Sequence, residues 1–294
     1  LYFSDGNNEI PTMEHVNPFR DIPCHKDIYY FYYVATKAGI IQQDDRSGIL
    51  CAMLLKWIRD GYVNFTMEPG TGWFKKDKYE IDFSGEIPTE NILEDKMLGY
   101  FREASGDNQI LENKEFERWC KRNYEEIEDW FNDLIEFEEK ELKEKGLMKK
   151  QTTYKKFLGI DIANEKVVYE PSFRDDIIYT KGLKRFLLDF SSIEEKEVIE
   201  VKLWEEYLMF ASILGIADEV EKQIGKLCPE FNQYSNIDYT YTMLATRTFM
   251  YGGVRSAANA YSAAHSSSYS GGGGFSSFGG GGGGFSGGGG GGSR

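Results

Sequence analysis

The segment from Asn113 to Lys145 constrains the fold most. Its apolar residues fall at Phe116, Trp119/Cys120, Tyr124, Ile127, Phe131, Leu134 and Phe137/Glu138, a spacing of three to four that places them along one face of a helix. Gly146 supplies the stop. Read as one helix, the segment spans roughly 45 to 50 Å at the standard rise per residue. A stripe of that length has to be covered by other elements, so the chain around it must be a helical body with a substantial core.

Other segments agree. Asp27 to Ala38 carries the aromatic run IYYFYYVA and ends at Gly39; Arg46 to Asp60 carries Ile49, Ala52, Met53, Trp57 and Ile58 and ends at Gly61. YVNFTM and KYEIDF alternate like two hairpin strands around a turn containing Pro69 and Gly70. Two helices followed by such a hairpin predict a winged-helix-like unit. Downstream, Pro88 and Thr89 open a helix through Phe101. The bridge YKKFLGIDIANEKVVYEPSF has room for a small strand pair, and Arg174 to Phe190 is helical again. Lys202–Leu214 and Ala217–Leu227 form a helical hairpin broken at Gly215; a last, weakly amphipathic helix runs from about Tyr239 to Ala264. The expected fold class is mainly α with a small β component: a winged-helix-like N-terminal unit, a helical bundle with one long central helix, and a disordered Gly-rich tail.

The expected organisation is an irregular juxtamembrane lead-in over 1–20, the winged-helix-like unit over 21–86 and a helical domain over 87–236. A weakly amphipathic helix or linker follows over 237–269, then the tail over 270–294. The tail is almost all glycine, which offers nothing to bury and loses the most backbone entropy on ordering. Its regular exceptions are Phe275, Phe278 and Phe285, the tail's candidate contact points.

Charge narrows the functional classes. The net charge is −14, and no Asp or Glu follows Asp238, so the acidity belongs wholly to the body. An acidic body disfavours sequence-independent binding to nucleic acid or anionic lipid. No run of about 18 apolar residues is long enough to span a bilayer. Cys24, Cys51, Cys120 and Cys228 are widely scattered, a distribution that suits a reducing compartment better than a disulfide framework.

His15, Cys24 and His25 lack the spacing of a zinc site, and adjacent Cys24-His25 is poorly placed for a nucleophile–base pair. There is no GxSxG motif and no phosphate-binding loop. Carboxylate pairs such as Glu125-Glu126, Glu138-Glu139 and Asp175-Asp176 read as solvated helix faces. No catalytic, metal or cofactor residue is assigned, and no enzyme is expected. The candidate interaction surface is Trp73, Phe74, Lys75, Lys76 and Lys78 on the hairpin, with Phe275, Phe278 and Phe285 in the tail; the second helix carries Lys56 and Arg59. These basic and aromatic side chains also frame the alternative reading, a DNA-binding winged helix. Against it, the second helix is apolar nearly all round, the pattern of a buried helix. Nucleic acid is therefore not the expected partner.

Three blocks in order carry a family resemblance: NPFRDIPC (Asn17–Cys24) with AMLLKWIRDGYV (Ala52–Val63); GLKRFLLDFSSIEEKEVIEVKLWEEYLMFASILGIADEVEKQI (Gly182–Ile224); and the Gly/Phe/Ser tail ending in Ser293-Arg294. The chain resembles the C-terminal part of the predicted bacterial membrane proteins catalogued as domain of unknown function 2207. The resemblance implies a membrane span and an extracytoplasmic domain upstream of Leu1, with this portion cytoplasmic. It implies no catalytic residues. The function expected is a non-enzymatic interaction, scaffold or regulatory module of a membrane-anchored protein, working through a protein partner that the sequence does not identify. The alternative is a membrane-tethered winged-helix regulator that binds DNA.

Overall fold

Capping and apolar spacing set the helices. A computed structural model describes residues 1–41, 45–68, 78–157, 160–189, 201–227 and 239–266. Helix α1 (Ile28–Lys37) begins where the Asp27 carboxylate accepts the amides of Tyr29 and Tyr30, at 2.9 and 3.2 Å. Its aromatic run is core: Tyr29, Phe31, Tyr32 and Tyr33 are all buried. Helix α2 (Gly48–Arg59) is buried from Gly48 to Ile58 except at Lys56. The stops expected at Gly39 and Gly61 are there, both in the left-handed region at φ 67° and 78°.

The hairpin forms as β2 (Asn64–Glu68) and β3 (Lys78–Asp82), antiparallel from Asn64↔Asp82 to Glu68↔Lys78. A third strand, β4 (Ile110–Glu112), joins β3 with Ile81 opposite Leu111. That strand follows α3 (Ile92–Ser105), so residues on either side of position 86 share one sheet. Helix α3 starts later than Pro88-Thr89 suggested, because Asn91 is the cap: its Oδ1 accepts from Leu93 and Glu94 at 3.0 Å each.

The long helix expected over 113–145 is two helices. α4 (Asn113–Arg122) and α5 (Tyr124–Glu144) meet at Asn123, which leaves helical geometry at φ −113°, ψ 48°. The Asn123 amide and its side-chain Nδ2 both donate to the Trp119 carbonyl, at 2.9 and 3.1 Å, closing α4 before α5 begins. The stripe survives the break. Phe116, Trp119, Cys120, Ile127, Phe131, Leu134 and Glu138 are buried, joined by Trp130.

The bridge is a ten-pair hairpin, β5 (Met148–Phe157) with β6 (Ile160–Tyr169), longer than the small pair expected. A short strand β1 (Tyr2–Phe3) pairs parallel with its end, Phe3 opposite Tyr169. The first 20 residues are largely irregular, but they are fastened. Cationic side chains of α6 (Pro171–Leu188) hold the backbone: Arg174 donates to the Asn7 carbonyl, Lys181 to Pro11, and Arg185 to Glu14 and Val16. Phe3 and Val16 of this strap are buried.

Helices α7 (Val201–Ile213) and α8 (Ala217–Leu227) match the expected helical hairpin. The last helix, α9 (Tyr239–Ser266), is more than a linker. It packs on α4, α2 and α5 and buries Met243, Phe249, Met250, Val254 and Ala257. A single buried apolar cluster runs from Phe3 to Ala257. The described residues are thus mainly helical, with two three-stranded sheets.

Candidate functional site

Two acidic side chains are buried among the described residues, and their surroundings differ sharply. Glu94, on α3, is fully enclosed at 0% exposure. Its carboxylate receives the Tyr29 hydroxyl at 2.8 Å, the Lys56 ammonium at 3.2 Å and the Glu90 amide at 2.9 Å. Such an anion is satisfied and structural. Glu138, on α5, is 4% exposed and has neither hydrogen bond nor ion pair among the described residues.

Glu138 lines a recess of about 750 Å³ between α1, α5, α6 and the segment preceding α1. The segment Pro23–Lys26 forms one wall through a turn with three successive non-glycine residues in the left-handed region: Cys24, His25 and Lys26 at φ 57°, 55° and 61°. Each costs about 1 to 2 kcal/mol relative to ordinary backbone. Two hydrogen bonds, Lys26 amide to Pro23 carbonyl and Asp27 amide to Cys24 carbonyl, hold the turn at 3.1 and 3.0 Å. Burial of Cys24 and the Lys26–Glu206 pair at 2.7 Å add to it. The turn feeds straight into the Asp27 cap, which puts Cys24, His25 and Asp27 on the recess wall.

The remaining walls are acidic and apolar. α1 contributes Tyr30, whose hydroxyl donates to Asp176 of α6 at 2.7 Å. α5 contributes Phe137, Glu141, Leu142 and Lys145 beside Glu138, and Glu141 is paired with Lys145 at 3.1 Å. Glu90 enters from the loop before α3 and is paired with Lys56. Every neighbouring carboxylate therefore has a partner, and Glu138 does not.

The electrostatics follow. Burial pushes the Glu138 carboxyl up to about 8, helped by the nearby charges of Asp27 and Glu141 and opposed by Lys145. Burial also raises Asp176, partly offset by the Tyr30 hydroxyl. The Cys24 thiol is raised well above its ordinary range by burial, with Asp176 adding to the effect, so it is held as the unreactive thiol. The sulfur lies 3.9 Å from Thr180 Oγ1. Among the described residues, no group of three His, Cys, Asp or Glu side chains is placed to hold a metal ion.

Among the described residues, the basic side chains of the second helix and hairpin named from the sequence are in ion pairs. Lys78 sits at the start of β3, pinned between Glu80 and Glu112, the latter at 2.9 Å, and these partners raise its ammonium above the usual lysine range. Lys56 is paired with Glu90 and Glu94, and Arg59 with Asp60. Trp73, Phe74, Lys75, Lys76, Phe275, Phe278 and Phe285 lie outside the described residues, as does Cys228. The reading of Glu138-Glu139 as a solvated pair is corrected for Glu138. The signal that marks it was its place on the apolar stripe, where a carboxylate is out of pattern.

These features define a mainly helical body with a carboxylate-bearing recess on one side of its apolar core. No described helix is long and apolar enough to cross a membrane. Residues 177–224, from α6 into α8, match the family model described as the predicted membrane protein (DUF2207) C-terminal domain. The match begins one residue after Asp176 and includes Gly182 and the Trp204–Tyr207 block. No curated protein and no solved structure matches the chain.

Proposed function

We propose that this chain is a non-enzymatic interaction module of a membrane-anchored protein, on the cytoplasmic side, working by binding a protein partner. The observation that carries the reading is the composition of the recess. It presents paired acids and an unpaired buried carboxyl, and its thiol is protonated and enclosed. That suits recognition of a complementary group better than nucleophilic or metal chemistry. The family model supports attachment to a membrane through other segments.

The winged-helix reading adds a docking surface made from the hairpin, not a DNA-reading helix. α2 is closed on nearly every face, and a recognition helix must offer side chains to a groove. Duplex DNA should therefore bind no more tightly than it binds any acidic protein, as fluorescence anisotropy at physiological salt would register.

The test is photo-crosslinking in cells with the full-length protein, a crosslinkable residue replacing Ser172 at the recess rim. A discrete protein adduct is the expected result. Adducts confined to nucleic acid or lipid, or none at all, would overturn the reading.

A further inference from the structure

We infer that the Glu138 recess binds an aliphatic organic cation, an ammonium or guanidinium group carried on a short alkyl stem. The inference deepens the interaction-module reading and rests on it only for the source of the cation.

Geometry selects the charge. Among the described residues, Glu138 is the buried acidic side chain with no protein hydrogen bond or ion pair, and a buried carboxylate is stable only when paired or hydrogen-bonded. Around it stand Asp27, Glu90, Glu141 and Asp176, against Lys145 and His25. Lys145 is occupied by Glu141 at 3.1 Å, so the recess offers an incoming anion little and an incoming cation a vacant acceptor. The distribution of partners says where a cation ends: its neighbours are engaged with Lys56, Tyr30, Lys145 or the α1 amides, and Glu138 is not.

Chemistry selects the stem. Phe137, Leu142 and Leu147 face the same space, giving an apolar sleeve on the way to the carboxylate. A hydrated inorganic ion gains nothing from that sleeve, and one free carboxylate is not a chelating set. An alkylammonium uses both parts. The volume, about 750 Å³, accommodates a side chain of lysine or arginine size with room for water.

Binding is coupled to a proton. The empty recess holds Glu138 protonated near neutral pH, because its carboxyl titrates at about 8. A bound cation stabilises the carboxylate and expels that proton, so affinity should rise from pH 6 to pH 8 and then level off. The groups facing Glu138 that also bear on this profile are His25 and Asp27 before and at the cap of α1, Tyr30 on α1, Glu90 before α3, Glu141 and Lys145 on α5, and Asp176 on α6.

The experiment titrates the full chain with n-butylammonium, Nα-acetyl-lysine methylamide and spermidine at constant ionic strength, read by calorimetry. Butanol serves as the neutral control. Saturable binding of the amines is expected, with affinity reduced at least about tenfold in Glu138→Gln and changed less than twofold in Glu126→Gln. Glu126 is an exposed acid of α5 outside the recess, so its loss tests whether the overall charge of the protein drives binding. Glu138→Gln mimics the protonated carboxyl and should fold; circular dichroism checks this. Preference for the lysine derivative over spermidine points to a protein side chain, and the reverse to a free polyamine. Equal losses in the two variants, or equal affinity for butanol, would sink the proposal. A saturable amine site with no protein adduct in cells would keep this inference and overturn the partner reading. A protein adduct with no amine binding would do the opposite.

Discussion

Glu138 and Glu94 show how much one side chain's surroundings decide. Both are carboxylates on buried helix faces. Glu94 is surrounded by a hydroxyl, an ammonium and an amide; Glu138 meets an open recess. The difference should be visible in stability against pH. Between about 4.5, its ordinary value, and about 8, its folded value, the native state holds a proton that the unfolded chain has released. Stability therefore falls as pH rises through that window, by up to ~1.4 kcal/mol per pH unit for one such group. Asp176 shifts in the same direction, so its contribution carries the same sign. In Glu138→Gln, melting temperature should decline less between pH 5 and pH 8, and the variant should be the more stable protein at pH 8. Parallel melting curves across that range would show that Glu138 does not titrate as described. The stripe on α5 made the position of Glu138 legible, because periodicity is local. Its missing partner was not, because Asp27, Tyr30 and Asp176 come from distant parts of the chain.

At the scale of elements, α6 and the N-terminal strap explain a glycine. A Cβ at Gly182 would lie 2.7 Å from both the Asn17 carbonyl oxygen and Phe19 Cβ. The Phe19 amide also donates to the Gly182 carbonyl at 3.1 Å. The strap crosses α6 so closely that a methyl group cannot fit without moving it. Gly182→Ala should destabilise by about 1 to 3 kcal/mol, the usual cost of overpacking. It should also open residues 1–20 to limited proteolysis. An unchanged melting temperature with a protected N-terminus would contradict the close approach. The same kind of contact recurs where α9 crosses α4: a Cβ at Gly253 would collide with the Phe116 ring. Composition gave no hint of the strap, whose polar residues read as irregular, because arginines and lysines more than 160 residues away supply its hydrogen bonds. The helix break at Asn123 was hidden for a related reason. The stripe continues in phase across it, and the break lies in the backbone of Asn123, whose side chain turns back onto the Trp119 carbonyl.

For the molecule as a whole, α9 is the piece whose importance the sequence understated. Its alanines and serines weaken the amphipathic pattern, yet Met243, Phe249, Met250 and Val254 complete the core over α2, α4 and α5. Truncation after Asp238 should therefore remove the cooperative thermal transition and expose dye-binding apolar surface. Retention of a sharp transition within a few degrees of the full chain would mean the core closes without α9.

The sequence by itself determined that this is a mainly helical protein, where α1, α2 and the α7–α8 hairpin lie, and which faces turn inward. Those properties follow from residue spacing, caps and glycine stops, which act over a few residues. The apolar surface of α2 already marked it as a buried helix; only the tertiary structure decided that α7 and α9 are the elements that cover it. The same holds for the strap bound to α6, and for Glu138, left as an unpartnered buried acid in a recess. Each of these depends on which distant side chains meet, and burial and charge pairing exist only once the chain has brought them together.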